Sequence, residues 1–163
     1  MLSPSREQAG AKMPTNGHGG QSYEERNNRP DNYGEQLFID YCRNEGYKLH
    51  RIGFDEKQDK VQNFYNLSKT IRQLPDFVCI SPASGRMAVV SVKGTSKFKE
   101  EDFNNLNWLE SAYATPKAPL RFVFAIKGQI YWKTVPEVAE LYRTATEEGE
   151  WPDGKRYRIL NLA

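Results

Sequence analysis

The chain has 163 residues, 38% of them apolar and 27% charged, with a formal net charge of +2. That length makes about one domain on a scale of ~100–200 residues each, with enough chain for a core that needs no disulfide or metal staple. The small net charge excludes nucleic-acid binding through global charge, so any such binding requires a local basic patch.

Other classes fall away quickly. No run approaches the ~18 consecutive apolar residues of a membrane span. The first thirty residues lack the apolar stretch of a secretory signal, so an intracellular, cytoplasmic protein with no membrane partner is expected. Cys42 and Cys79 are too few for a disulfide framework and have no CxxC spacing. His18 and His50 exclude a His-rich zinc site and argue against a histidine-based triad. Neither GxxxxGK[ST] nor GxGxxG occurs.

Residues 1–32 read as a disordered arm ahead of one domain over 33–163. Gly, Pro, Ser, Asn and Gln dominate it. Arg6, Lys12, Arg26 and Arg29 are offset by Glu7, Glu24, Glu25 and Asp31. Too little apolar surface is present to outweigh the entropy of ordering. A mobile leader and a segment that folds on a partner are the two readings.

Leu37, Phe38, Tyr41 and Cys42 recur as one helical stripe, so a helix is expected from Gly34 to Glu45, with Asn32 as N-cap and Gly46 as stop. A short strand follows over about Tyr47 to Phe54. Residues 55–74 read as a loop with a helical turn. Phe77-Val78-Cys79-Ile80 and Met87–Lys93 are two strands around Pro82-Ala83-Ser84-Gly85-Arg86, which makes 75–94 a hairpin. A helix is expected from about Lys99 to Ala114, then strands over Leu120–Ile126 and Ile130–Val135. Pro136 opens a second helix through Val138, Leu141 and Tyr142. Lys155–Leu162 is expected to add an edge strand. The fold class is α/β, a mixed central sheet flanked by helices.

The strand from Met87 carries the sharpest chemical clue. Side chains alternate faces, so Met87, Val89, Ser91 and Lys93 share one face and Ala88, Val90 and Val92 the other. A lysine ending an apolar strand is ordinarily one that snorkels to water. Asp76, however, opens the preceding strand after Pro75. The open ends of the hairpin therefore bring Asp76 and Lys93 together across paired strands. Pro75 suits a strand's first residue, where no ladder donor is needed. The plain alternative is one exposed salt bridge of ~0–1 kcal/mol.

Pro75-Asp76, the hairpin and Ser91-Val92-Lys93 together resemble the signature of the PD-(D/E)XK nuclease superfamily. The order of helix, three strands, helix and strand (αβββαβ) is similar to its common, restriction-endonuclease-like core, over about residues 33–135. The resemblance implies a metal-dependent endonuclease acting on nucleic acid, with DNA the expected substrate and Mg²⁺ or Mn²⁺ the cofactor. It also admits a homodimer. Ser91 stands where the superfamily has Asp or Glu, and a neutral hydroxyl is a poor ligand for a hard cation. Either the site has lost catalysis, leaving a nuclease fold that binds nucleic acid or a protein, or another acid has moved in.

Glu110 is the candidate for that acid. On a continuous helix it falls seven residues beyond Phe103 and joins the apolar stripe of Phe103, Leu106, Leu109 and Tyr113. A carboxylate facing the sheet there needs a cation. A subgroup of restriction endonucleases is similar: these carry Ser-Val-Lys and bring the acid from the following helix, at a somewhat shorter spacing. The plain reading of Glu110 is an edge-of-stripe residue reaching water. Glu35 is a second candidate, since the superfamily often has a glutamate on its first helix; the plain reading is an acid favoured by the helix dipole.

The metal would then be ligated by Asp76 with Glu110, Glu35 or both, and by the Val92 carbonyl. Lys93 would orient water or stabilise charge on phosphorus, and Ser91 would hydrogen-bond a metal water or a carboxylate. Lys69, Arg72, Lys97 and Lys99 are the expected phosphate-binding residues, near one edge. Trp108 falls opposite the stripe, as a partner surface or a cap on a neighbouring loop.

Overall fold

The computed structural model describes residues 23–53 and 66–163, with side chains from Tyr33 onward in its first helix. The elements are α1 (Tyr23–Glu45), β1 (Lys48–Arg51), α2 (Lys69–Arg72), β2 (Phe77–Ile80) and β3 (Met87–Lys93). They continue as β4 (Lys97–Lys99), α3 (Glu100–Asn104), α4 (Leu106–Tyr113), β5 (Leu120–Ile126), β6 (Gln129–Thr134), α5 (Val135–Thr144), β7 (Glu148–Glu150) and β8 (Arg156–Ile159). The class is α/β, as expected.

A five-stranded mixed sheet runs in the order β1-β2-β3-β5-β6. β1, β2 and β3 form an antiparallel meander, β3 and β5 are parallel, and β6 returns antiparallel to β5. The hairpin turns where Gly85 adopts φ +72°, a conformation that suits glycine.

Each face of the sheet is covered. Phe38 and Cys42 of α1 pack on Phe77, Cys79, Val90 and Val123. On the other face Val89, Leu120, Phe122 and Phe124 meet Leu106 and Leu109 of α4, Val138 and Tyr142 of α5, and Phe98 of β4. Alternation along β3 is what feeds both cores: Val89 enters one and Val90 the other.

α1 stops at Gly46, as its sequence indicates. Gly46 takes φ +84°, its N–H donates to the Arg43 carbonyl, and the Tyr47 N–H reaches back to Cys42. That is the left-handed cap glycine permits. The start of α1 departs from expectation. The helix begins at Tyr23, not at Gly34 behind an Asn32 cap, and carries Pro30 within it. The arm expected over 1–32 is therefore helical in its last part. Residues 1–22 and 54–65, the latter including the first part of the loop expected over 55–74, lie outside the described residues, and the helical turn expected in that loop is α2.

α5 is set by Thr134. Its hydroxyl accepts from the Glu137 N–H at 3.2 Å while the Glu137 carboxylate accepts from the Thr134 N–H at 2.8 Å, a reciprocal cap.

Two expectations fail after β3. The expected helix over 99–114 is broken: α3 ends at Asn104, Asn105 sits at φ −100° and ψ 0°, and α4 begins at Leu106. The expected C-terminal edge strand is instead the middle strand of a second sheet, ordered β4-β8-β7. β4 is too short to be read from its pattern, and β8 needs both neighbours to satisfy its ladder.

Candidate active site

The carboxyl end of β3 is where chemistry-bearing side chains gather. Asp76 stands just ahead of β2 and is held by its backbone. Its N–H donates to the Val90 carbonyl at 2.9 Å, and its carbonyl accepts from Ile52 at 2.9 Å and Gly53 at 3.3 Å. Glycine at 53 is required by the approach: a Cβ there would lie 2.6 Å from the Pro75 carbonyl oxygen. Phe77 pairs with Val90, so Asp76 stands opposite Ser91, on the sheet face that carries Lys93.

The Asp76 carboxylate turns onto β3. Its Oδ2 accepts the Val92 N–H at 2.7 Å. Burial is the main influence on its proton and pushes the pKa from 3.8 up to about 6. The Val92 N–H works against that rise, the negative charge of Glu35 adds to it, and the Lys93 and Arg51 cations oppose it. The ionised form is thus costly and only partly compensated.

Lys93 closes the site from the other side. Its Nζ lies 3.2 Å from Oδ2 of Asp102 and 5.6 Å from the centre of the Phe98 ring. Asp102 lies in the first turn of α3, one of three consecutive acids there. Sequence reasoning missed it. The signal available was the acid cluster that opens a helix, but the spacing alone does not say which of the three acids turns to Lys93.

Glu110 is a correction. It is exposed on α4, and its side chain makes no hydrogen bond or ion pair among the described residues. The stripe of Phe103, Leu106, Leu109 and Tyr113 packs on one core across the break at Asn105, and Glu110 lies at its exposed edge, the plain reading of that residue.

Glu35 does stand near the site. Its Oε1 pairs with Arg51 at 2.6 Å, and its charge is felt at Asp76. Arg51 also lies over the Phe77 ring, 4.7 Å from its centre. The neighbouring Gly34 lets α1 approach the strand end: a Cβ there would lie 2.8 Å from the Gly94 Cα. Ser91 is half-buried opposite Asp76, and its hydroxyl has no hydrogen bond among the described residues. Val92 contributes its N–H to Asp76 and packs its side chain toward α1.

The basic residues are anchored by different elements. Lys69 lies 4.2 Å from the centre of the Trp108 ring, and Arg72 Nε donates to the Leu67 carbonyl at 3.0 Å. Lys97 and Lys99 lie over Tyr157 and Trp151 of the second sheet region, 5.1 and 5.8 Å from the ring centres. Trp108 is half-buried against the core and Tyr113, with Lys69 of α2 over its ring, which fits the second of its two readings, a cap on a neighbouring segment. The Tyr113 hydroxyl, from the same helix, donates to the Thr70 carbonyl.

Among the described residues, no three of His, Cys, Asp and Glu gather closely enough to hold a metal ion by themselves. Asp76 and Glu35 offer two carboxylates. That donor set suits Mg²⁺, which is commonly held by one or two carboxylates with water and phosphate oxygens completing the shell. No helix among the described residues is long and apolar enough to cross a membrane. The chain matches no protein-family model and no curated protein.

Proposed function

We propose that this chain is a metal-dependent endonuclease that hydrolyses phosphodiester bonds in nucleic acid, with DNA as the substrate and a restriction-endonuclease-like core. With the one-turn α2 and the three-residue β4 set aside, the order α1, β1, β2, β3, α3–α4, β5 is consistent with the αβββαβ arrangement that the resemblance implies. One observation carries the reading: Asp76 and Lys93 share a face at one end of the β2–β3 pair, with Glu35 close enough to act on the Asp76 charge.

When bound, Mg²⁺ or Mn²⁺ polarises the scissile phosphate and acidifies a bound water. Asp76 and Glu35 would hold the ion. A buried, undercompensated Asp76 beside a second carboxylate is the electrostatic imbalance a cation relieves. Lys93 places a positive charge where charge grows on the phosphoryl oxygens, and Asp102 fixes the direction of its ammonium group.

A second reading has its own support: Ser91 lacks the expected charge, and Lys93 is already paired with Asp102. It is a nuclease fold that binds nucleic acid without cutting. The deciding experiment incubates the protein with linear, circular and branched DNA in Mg²⁺ or Mn²⁺, beside Asp76→Ala and Lys93→Ala. Cleavage by the wild type alone supports the nuclease. Salt-dependent binding without cleavage supports the second reading. Neither binding nor cleavage removes both.

A further inference from the structure

A large open cleft of about 990 Å³ lies at the other end of the central sheet, where the β2–β3 turn meets the start of β5 and the end of β6. Its lining is chemically selective. Arg86, Lys117 and Arg121 bring three cations, and among the described residues no carboxylate lines it. Tyr41, Tyr47 and Trp132 bring three rings, with each of the tyrosines about 6.5 Å from Trp132, centre to centre, or less.

These features arise from the fold. Trp132 pairs with Val123 and Arg121 with Val90, residues of the core beneath α1, so both point to the α1 side of the sheet. Tyr41 reaches the cleft from α1 and Tyr47 from the turn after it. Arg86 and Lys117 come from two loops and are exposed. Trp132 is held edge-on by Phe38 at 5.6 Å, so the ring is fixed before any ligand arrives.

Cations without carboxylates select an anion, and immobile rings select a flat apolar group. A nucleotide carries both within one unit. The volume lies at the top of the ~300–1,000 Å³ range of ligand pockets, which leaves room for a base, a sugar and a phosphate. The site is also separate from the Asp76 end. Met87 lines the cleft and Lys93 ends the same strand, so the two lie about 20 Å apart at ~3.3 Å per residue, while Trp132, paired through Val123 with Val92, stands level with the Asp76 end but two strands away from β3. We propose that this cleft binds a nucleotide, its phosphate on Arg86, Lys117 and Arg121 and its base against Tyr41, Tyr47 and Trp132.

The test measures binding of adenosine monophosphate, a ten-residue oligothymidylate and inorganic phosphate, by tryptophan fluorescence and by anisotropy of a labelled strand. The expected result is saturable nucleotide binding that falls about tenfold or more in the Arg86→Ala/Lys117→Ala double variant at unchanged melting temperature. Inorganic phosphate should bind at least about tenfold more weakly, because it leaves the rings unused. Asp76→Ala should bind as the wild type does, which separates this cleft from the candidate active site. Tighter binding of the strand assigns the nucleotide to single-stranded nucleic acid, and tighter binding of the monophosphate to a free nucleotide. The proposal is overturned by absence of binding at about 1 mM ligand, by undiminished binding in the double variant, by inorganic phosphate binding as well as nucleotide, or by loss of binding in Asp76→Ala.

Discussion

Asp102 of α3 places its Oδ2 3.2 Å from the Lys93 Nζ, so the lysine of the candidate site is held by an acid nine residues further along the chain. Both side chains are partly exposed, at 32% for Lys93 and 25% for Asp102, and solvent screens the pair. Asp102→Asn should therefore cost no more than about 1 kcal/mol of stability. Cleavage should suffer more, by about tenfold to a hundredfold, because the ammonium loses its fixed direction. Denaturant unfolding and kcat measured on the same preparation check this. Equal cleavage by variant and wild type would remove Asp102 from the site.

Asp76 predicts a pH dependence. Its pKa is raised in the folded chain to about 6, above the ordinary 3.8, so the folded state holds that proton more tightly than the unfolded one. Stability from this group therefore falls as pH climbs from about 4 to about 6, and the loss is complete above the folded pKa. Asp76→Asn removes the penalty while keeping an oxygen for the Val92 N–H. In chelator, the variant should match the wild type near pH 4 and exceed it at pH 7 by at most about 3 kcal/mol. Urea unfolding at several pH values measures the difference; a constant gap across pH would refute it.

Ser91 faces Asp76 across the β2–β3 pair, so Ser91→Glu adds a carboxylate where the resemblance has one. Without metal the variant should be less stable at neutral pH, because a third negative charge joins Asp76 and Glu35. With Mn²⁺ or Mg²⁺ its melting temperature should rise more than that of the wild type, since ion binding to the folded state stabilises it by mass action. An equal metal response in both proteins would mean that Ser91 does not border the ion.

Gly34 tests how the first helix meets the strand end. A Cβ at 34 would stand 2.8 Å from the Gly94 Cα, against backbone that has no flexible end to yield. Gly34→Ala should cost about 1–3 kcal/mol, as overpacking does. It should also lower cleavage, because Glu35 moves with the helix. Calorimetry and the cleavage assay check the two effects.

Glu110 supplies the contrasting case. It is exposed and belongs to no three-residue metal-ligand group among the described residues, so Glu110→Ala should leave stability within about 0.5 kcal/mol and cleavage unchanged. A large loss of cleavage would return this residue to the site.

These five positions show what the sequence could and could not disclose. The Asp76–Lys93 neighbourhood was readable because it depends on local rules: period-two alternation, Pro75 at a strand start and a glycine turn at Gly85. The stop of α1 at Gly46 was readable for a similar reason. The start of α1 was not, because residues 23–32 are polar and Pro30 reads as a breaker, while the helix continues through it. Asp102 and Glu110 were not separable on the helical pattern: the stripe of Phe103, Leu106, Leu109 and Tyr113 is found as expected, but which flanking acid meets Lys93 depends on tertiary packing. The second sheet was hidden because β4 and β7 have three residues each, too few for a periodic signal.

That second sheet also sets an order in time. Lys97 pairs with Ile159, and the Leu160 N–H donates to the Ser96 carbonyl, so β4 finds its partner only after the intervening chain has been made. On a ribosome adding ~5–20 residues per second, the β2–β3 ribbon has its own partner seconds before β8 emerges to join β4. The wall carrying Phe98 beside Lys93 is thus completed only after both strands of the Asp76–Lys93 end have been made.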